Sequence, residues 1–247
     1  MMKKLLAICV LLVATSLQAQ VNTEKMRVLG LDSGLAGSVG ATVSLERGNS
    51  DVTEAGATAD FAYKVRRSAL FWFNQGSWLY EGDKDLVNKG FSHLRYNLQL
   101  QPRWVFEAFG QAQYDRSQDL SHRYLIGAGL RFIPVQRTWG LVAVGVTPMF
   151  EFERLTTDEN LETVRVSSYV SVAASRKGRY AITSTTYVQP SADRLGNIRV
   201  LNETELALSI TSFLELTTTV NYRYDAEPPV DVKEYDLSLK QGLRVKF

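Results

Sequence analysis

Few residues of this chain could act as a nucleophile or a general base. The two histidines are His93 and His122, and Ser121 directly precedes His122. A serine and a histidine are two members of a hydrolase triad, which also needs a third polar group to orient the histidine. Neighbours on a strand point to opposite faces, so the side chains of Ser121 and His122 should diverge. We therefore expect a loop or rim position for this pair, and no catalytic residues.

Ligands for a metal or a cofactor are equally scarce. The only cysteine is Cys9, and the two histidines lie far apart in the chain without the spacing of metal ligands. Asp225, Glu227 and Asp231 cluster in one segment and could weakly hold calcium, but a solvated acidic loop explains them as well. The sequence therefore predicts neither a bound metal nor a cofactor.

Charged side chains at alternate positions are the remaining functional candidates. Arg95 and Arg131 should lie near Glu107, and the glutamates of residues 203–215 should lie near Arg223 and Lys240. One interpretation is a water-filled pore whose charges tune the choice of ion, and the other is a salt-bridged plug that closes the lumen. Long side chains of both signs favour a narrow or occluded interior. The predicted lumen-facing charges are Arg95, Glu107, Arg131, Arg165, Glu203, Glu205, Glu215, Arg223 and Lys240.

The segments that would position these charges alternate between apolar and polar residues. From Leu94 to Leu100 every second residue is apolar, and polar residues such as Gln99 occupy the other positions. A β-strand has a period of two, so each segment presents one apolar and one polar face. Such segments, separated by turn residues, are typical of a transmembrane barrel. The predicted strands are 36–47, 52–65, 68–79, 89–101, 104–115, 122–133, 139–153, 162–174, 178–189, 197–210, 213–225 and 233–247.

These twelve segments predict an all-β fold, a closed antiparallel transmembrane β-barrel in an up-and-down meander. The third strand is the least regular, because residues 70–73 are apolar on both faces. Alternate connections differ in length: those at 65–67 and 101–103 are short, whereas those at 81–88 and 190–196 are longer. Short periplasmic turns and longer outer loops are typical of barrels in the outer membrane of Gram-negative bacteria.

The first residues predict export. Lys3 and Lys4 precede an unbroken apolar stretch, and small residues precede a cleavage point after Ala19. The apolar stretch is shorter than the roughly 20 residues that cross a bilayer as a helix. We expect a signal peptide at 1–19, an N-terminal periplasmic segment at 20–35 and an outer-membrane β-barrel at 36–247. Loss of the two lysines takes the formal net charge from +2 to 2 − 2 = 0, so nucleic acid is not an expected partner.

The apolar faces are covered by lipid in a membrane barrel and by a second sheet in a soluble sandwich. A soluble periplasmic β-sandwich also shows alternation, and it is the alternative to the barrel. Aromatic residues near the strand ends favour lipid, because aromatic girdles mark both membrane interfaces. We therefore expect outer-membrane lipid as a partner. The aromatic residues are Tyr63, Trp78, Tyr80, Trp104, Tyr114, Tyr124, Trp139, Tyr222 and Tyr224.

The last segment carries a further indication of the outer membrane. Tyr235, Leu243, Val245 and Phe247 lie in phase on its apolar face, and the chain ends at Phe247. A last strand of this kind resembles the signal that is read by the outer-membrane barrel-assembly machinery. The resemblance implies that this machinery is a partner of the chain.

Three runs resemble the salt-stress-induced outer-membrane protein family, a β-barrel domain of unknown function. They are residues 124–130, 145–151 and 186–191. The resemblance covers most of the chain after the signal peptide. It implies a barrel that is linked to osmotic or salt stress, and it transfers no catalytic residue.

Three functions remain open. The first is a passive, porin-like channel for ions or small solutes. The second is a non-conducting structural or surface-interaction barrel whose outer loops carry the function. The third is an outer-membrane hydrolase, which would depend on His122; we do not expect an enzyme.

Overall fold

The computed structural model describes residues 33–46, 52–81, 84–116, 119–157, 159–228 and 233–246. Within these ranges no helix is long and apolar enough to cross a membrane. The predicted signal peptide, most of the predicted segment 20–35, Asp231 and Phe247 lie outside the described residues.

Twelve antiparallel strands form one closed barrel, in which each strand pairs with its neighbours in the chain. We call the end with the β9–β10 connection (191–197) the loop side, and the end with the β2–β3 connection (66–67) the turn side. The strands are β1 (Gly34–Glu46), β2 (Val52–Val65), β3 (Ser68–Glu81), β4 (Lys84–Gln101), β5 (Trp104–Asp115), β6 (Leu120–Arg137), β7 (Gly140–Leu155), β8 (Asn160–Arg176), β9 (Tyr180–Pro190), β10 (Ile198–Ser209), β11 (Leu214–Asp225) and β12 (Tyr235–Lys246).

The first and last strands close the sheet on itself. Ser38 pairs with Lys246 and Val39 with Val245 where β1 meets β12. These pairs close the ring of strands, so β1 and β12 are not the outer edges of an open sheet. The predicted twelve-stranded barrel is therefore confirmed, and the sandwich alternative is wrong because a sandwich needs two separate stacked sheets.

Alternation along each strand separates an inner from an outer face. In β5 the odd-numbered residues from Val105 to Asp115 are buried, and the even-numbered residues are partly or fully exposed. In β6, Ile126 is 66% exposed whereas its neighbour Leu125 is 3% exposed. Buried positions thus point into the barrel and exposed positions point outwards, as the period of two requires.

β3 follows the same rule through its doubly apolar segment. Phe71 and Phe73 are buried inside the barrel, and Leu70 and Trp72 are exposed on its outer surface. The two inner rings stack with centroids 6.3 Å apart and pack against Ala62 of β2. The inner face is apolar here because a cluster of side chains fills this part of the lumen.

β6 is longer than the sequence predicted. The sequence predicted a strand that ends at residue 133, but the strand continues to Arg137. The register between β6 and β7 shifts between Phe132 and Val135, so Pro134 lies in a β-bulge. A proline is tolerated there because the bulged residue does not need to donate to the ladder.

β6 and β7 approach each other closely at Gly129. A Cβ atom at this position would lie 2.2 Å from the carbonyl oxygen of Val146 and 2.7 Å from the Cα of Thr147. These are main-chain atoms, so no side chain can rotate away to make room. The pairing of these two strands therefore requires glycine at this position.

We predict that Gly129→Ala destabilises the folded barrel by about 1–3 kcal/mol, the usual cost of overpacking. The urea concentration at which half of the protein loses its fast, folded mobility on an unheated gel measures this cost. Gly110→Ala is the control, because a Cβ atom at Gly110 would meet nothing within 4 Å. Equal midpoints for the two variants would contradict the proposed clash.

Candidate functional site: the barrel lumen

The inner face of the barrel carries the charges that the sequence singled out. Of the nine charged residues that were predicted to face the lumen, Lys240 is half-buried and the other eight are buried. The neighbouring positions in the same strands are mostly apolar and exposed, so the buried charges lie inside the closed wall. The eight are Arg95, Glu107, Arg131, Arg165, Glu203, Glu205, Glu215 and Arg223. That they tune transport stays a prediction.

A central cluster is built around Glu107 of β5. Arg95 of β4 and Arg131 of β6 place guanidinium nitrogens 3.6 and 3.8 Å from its carboxylate oxygens. Tyr169 of β8 donates its hydroxyl to the same carboxylate at 2.5 Å. The two arginines are only 2% and 1% exposed. Two cations that water barely reaches therefore share one carboxylate, a geometry in which loss of the carboxylate is costly.

Aromatic rings also contact these two arginines. The guanidinium carbon of Arg95 lies 5.5 Å from the ring centroid of Phe109, and that of Arg131 lies 5.9 Å from the ring centroid of Tyr169. Such cation–π contacts are strongest where water is excluded. His93 is buried beside Phe109, with ring centroids 5.3 Å apart, and its Nδ1 lies 2.9 Å from Oε1 of Gln111. The histidine is thus a packed residue of the inner wall.

Glycines on the inner wall make room for these rings. A Cβ atom at Gly145 would lie 2.2 Å from the ring of Tyr169, and one at Gly127 would lie 2.8 Å from the ring of Phe109. Each ring therefore occupies the space that a side chain on the neighbouring strand would need. The rings belong to a buried apolar cluster inside the barrel, made of Phe109, Leu125, Met149, Tyr169, Tyr187 and Leu201.

A second cluster fills the loop side of the lumen, around Glu151 and Glu153 of β7. Nη1 of Arg199 lies 2.5 Å from Glu151 and 2.8 Å from Glu153. Nε of Arg165 donates to Glu151 at 2.6 Å. Arg123 of β6 donates to Glu153. Side chains from four strands thus form one network of alternating charge.

Arg165 also donates hydrogen bonds that hold the β9–β10 connection next to this second cluster. It donates to the main-chain oxygens of Gln189 at 3.2 Å and Asn197 at 3.1 Å, and to the side-chain oxygen of Asn197 at 3.0 Å. Asn197 in turn donates to Glu227 at 2.9 Å. One buried arginine therefore joins the inner wall to two loop-side connections.

A third group lies on β10, β11 and β12 towards the turn side. Arg244 donates to the two carboxylate oxygens of Glu205 at 2.7 and 2.5 Å, and Lys246 donates to Glu215 at 2.5 Å. The sequence had predicted Arg223 near these glutamates. Instead Arg223 lies 3.6 Å from Asp225 on the loop side, because Glu215 and Arg223 are at opposite ends of β11, roughly 26 Å apart along a strand.

A cavity of about 330 Å³ remains along the wall formed by β1–β3 and β10–β12. Small inward residues, among them Gly40, Gly56 and Gly242, leave this space open. A Cβ atom at Gly242 would have only the hydroxyl of Thr217 within 4 Å. Four carboxylates and two cations line the cavity: Glu54, Asp60, Glu203, Glu205, Lys240 and Arg244.

The Ser121–His122 pair lies at the loop-side start of β6. Oγ of Ser121 and Nδ1 of His122 are 3.0 Å apart, so the expectation that these side chains diverge is wrong. The register shifts between Leu120 and His122, and this irregularity lets adjacent side chains meet. The ring of His122 stacks near Tyr124, with centroids 6.2 Å apart. Among the described residues, no carboxylate contacts His122.

The acidic segment considered for calcium is engaged in ion pairs. Asp225 accepts from Nε of Arg199 at 2.7 Å, and Glu227 lies 2.9 Å from Nη1 of Arg194. In the part of the chain that the structure describes, no three histidine, cysteine, aspartate or glutamate side chains are grouped as metal ligands.

Sequence reasoning missed several members of the lumen network. Arg123, Glu151, Glu153, Arg199 and Arg244 share the inward phase of the predicted charges on their strands, so the same alternation could have identified them. The rings on the inner face share that phase as well, but only charged side chains were predicted to face the lumen. Phe109 and Tyr169 were missed for this reason.

We predict that Glu107→Gln costs the folded barrel about 3 kcal/mol, because it leaves two buried guanidinium groups without their shared carboxylate. Urea titration of the heat-modifiable gel band would measure the loss. Glu159→Gln makes the same change at an exposed loop residue and should shift stability by less than about 0.5 kcal/mol. If both variants unfold together, Glu107 does not hold the central cluster.

Solved structures with similar folds include several porins. The chain is similar to the NanC porin, with a TM-score of 0.47, 11% identity, and coverage of 85% of this chain and 97% of that chain. It is similar to the KdgM porin in complex with disordered oligogalacturonate, with a TM-score of 0.48, 8% identity, and coverage of 86% and 99%. It is also similar to the translocator domain of the autotransporter NalP from Neisseria meningitidis, with a TM-score of 0.46, 12% identity, and coverage of 90% and 93%. Comparison with curated protein sequences gives no match.

One family model matches the chain, and it is described as "Protein of unknown function, DUF481". The match runs over residues 39–247 and takes in all of β2–β12 with most of β1. On this extent of agreement, the chain belongs to the DUF481 family of proteins of unknown function.

Proposed function

We propose that this chain is an outer-membrane β-barrel that conducts small ions, with a preference for cations, along the wall formed by β1–β3 and β10–β12. The observation that carries the proposal is the 330 Å³ cavity inside the wall, which four carboxylates and two cations line. The two parts of the proposal, membrane placement and conduction, rest on different faces of the barrel.

The outer face supports the membrane placement. Every strand exposes at least one large apolar side chain, and Val39, Leu130 and Leu243 are examples from different parts of the wall. Water-soluble monomers rarely expose a continuous apolar surface, because its contact with water is unfavourable. Hydrocarbon accepts such a surface, provided that the sheet has no open edge.

Aromatic side chains mark both ends of this apolar surface. Tyr63 and Trp139 are exposed near the turn side, and Tyr80 and Tyr124 are exposed near the loop side. Amphipathic rings prefer the interface between hydrocarbon and water, and two such belts bracket the apolar band of an outer-membrane barrel. The longer connections of the loop side, such as 191–197, would then face the outside of the cell.

The lining of the cavity supports a preference for cations. An excess of carboxylates lowers the free energy of a cation in the passage and raises that of an anion. Arg66, Arg67 and Arg137 form an exposed rim at the turn side, and salt screens exposed charges over about 8 Å at physiological ionic strength. The enclosed charges of the cavity therefore decide the selectivity, whereas the rim acts mainly at low salt.

A non-conducting barrel is the second candidate function. The central and loop-side clusters favour it, since their buried ion pairs occupy the lumen between β4 and β10. In that case the connections of the loop side would carry the function, for instance by binding at the cell surface. Conductance distinguishes the two candidates.

The proposal also covers when the barrel is made and how it reaches the membrane. The resemblance to the salt-stress-induced family adds osmotic stress as the condition under which the barrel is made. Tyr235, Leu243 and Val245 are exposed on the outer face of β12, where the assembly machinery could read them before insertion. An N-terminal signal peptide would deliver the chain to that machinery.

For the membrane placement, we predict that Leu130→Arg destabilises the barrel in lipid vesicles by about 2–4 kcal/mol, the cost of arginine on the lipid face near the bilayer centre. Leu195→Arg is the control, because Leu195 is exposed on the loop-side connection outside the strands. Refolding yields and urea midpoints in vesicles measure both changes. A barrel that tolerates the two substitutions equally well does not present this face to lipid.

For conduction, we predict stepwise single-channel currents in planar bilayers and a reversal potential that favours cations. Glu54→Lys removes a negative charge from the cavity and adds a positive one, so the reversal potential should move towards anion preference. Glu159→Lys makes the same change on an exposed loop residue and should leave the reversal potential unchanged at high salt. A folded barrel that passes no current would establish the non-conducting alternative.

A further inference from the structure

A second cavity, of about 510 Å³, opens at the turn side against β2–β8. Its volume lies in the range of pockets that hold small organic ligands. It is a different space from the one proposed to conduct ions, and its lining has a different composition. The inference drawn from it does not depend on whether the barrel conducts.

The lining of this turn-side cavity combines three kinds of side chain. Its rim carries only positive charge, from Lys64, Arg66, Arg67 and Arg137, and no carboxylate is among its described lining residues. Apolar residues such as Ile133 form its walls. A site with a cationic rim and apolar walls complements an anion that carries an apolar body.

Asn97 adds an observation that points to a ligand. It lines the turn-side cavity, it is 4% exposed, and neither its amide nitrogen nor its oxygen has a hydrogen-bond partner among the described residues. A buried carboxamide without a partner costs free energy, so a native site rarely keeps one without a use. The carboxamide both donates and accepts, and a hydroxyl group satisfies both of its functions.

The strand register gives the distance between Asn97 and the cationic rim. Asn97 pairs with Ala69, and Ala69 follows Arg67 of the β2–β3 turn by two residues. At 3.3 Å per residue, the carboxamide lies roughly 7 Å below the cationic rim along the strand. A ligand that reaches both needs an anionic group and a hydroxyl group at opposite ends of a short apolar body.

We propose that the turn-side cavity binds a small hydroxylated organic carboxylate. The carboxylate contacts the arginines of the rim, the body packs against Phe71 and Ile133, and the distal hydroxyl hydrogen-bonds to Asn97. On the orientation proposed above, this site opens to the periplasm. The class includes hydroxylated aromatic acids, whose flat ring fits apolar walls and whose two polar groups are fixed at opposite ends.

Titration calorimetry on the folded full chain in detergent micelles tests this assignment, with the heat of empty micelles subtracted. The probes are 4-hydroxycinnamate, cinnamate, which lacks the hydroxyl, and the methyl ester of 4-hydroxycinnamate, which lacks the charge. We expect saturable binding of 4-hydroxycinnamate and about tenfold weaker binding of each of the other two, as one hydrogen bond or one exposed charge contact is lost. Equal affinities for the two acids would overturn the role of Asn97.

Two variants separate the contributions of Asn97 and of the rim. Asn97→Leu removes an unsatisfied amide, so the barrel should be at least as stable to urea, yet 4-hydroxycinnamate should now bind no better than cinnamate. The double variant Arg67→Gln, Arg137→Gln should weaken both acids about tenfold. Its matched control is Arg103→Gln, an exposed turn residue outside the cavity lining, which should change nothing.

Decanoate serves as a further probe, because it has the charge and an apolar body but no distal hydroxyl. Binding of decanoate as tight as that of 4-hydroxycinnamate would indicate a fatty-acid site and overturn the proposed class. No saturable heat from any acid would overturn the site itself. Because binding is measured without a membrane or a current, neither result bears on ion conduction.

Discussion

The pairing of β1 with β12 is the constraint on which the rest of the molecule depends. It turns a sheet with a period of two into a wall with one face outside and one face enclosed. The enclosed face holds many ionisable side chains, and they cannot each keep a full hydration shell in so small a space. Each therefore needs a partner within the barrel, and the observed networks of Glu107, Glu151 and Glu153 meet that need.

The same constraint explains why rings fill the middle of the lumen beside β6 and β7, whereas space stays open beside β12. On β6 and β7 the inward glycines are covered by large rings from adjacent strands, as Gly145 is by Tyr169. On β12 the inward Gly242 has no ring over it, and only a threonine hydroxyl is near. Glycine thus has two opposite effects on the wall. Where a neighbouring strand carries a large ring, glycine makes room for that ring. Where no ring is present, glycine leaves a cavity.

Alternation within one strand was the part of the fold that the sequence predicted well. The outward Leu94 and the inward Arg95 of β4 follow from the period of two. The ends of strands were predicted less well. β4 begins at Lys84, so the long connection predicted at 81–88 is wrong. β6 continues to Arg137, because a β-bulge that absorbs Pro134 depends on the neighbouring strand and not on local pattern.

The composition of the lumen was harder to predict than the course of the strands. An inward phenylalanine such as Phe109 has the same chemistry as an outward one, so only the closed barrel shows that it packs on Arg95. The network of Arg199 with Glu151 and Glu153 joins strands that are distant in sequence, and it depends on how the wall curves. Adjacent side chains at Ser121 and His122 met for a similar reason, through a shift of register that no pairwise pattern encodes.

Charge along the inner face of β2 shows how the two cavities are related. Glu54 and Asp60 line the cavity assigned to ions, whereas Ala62 and Lys64, the next inward positions, line the turn-side cavity. The charge on the inner face of β2 therefore changes from negative at Asp60 to positive at Lys64, with only Ala62 between them. A cation that leaves the acidic cavity towards the turn side meets an unfavourable potential, and an anion held at the basic rim would reduce it. Under the two proposals, occupancy of the turn-side site would therefore be coupled by electrostatics to passage through the neighbouring cavity, even though the two sites share no charged residue.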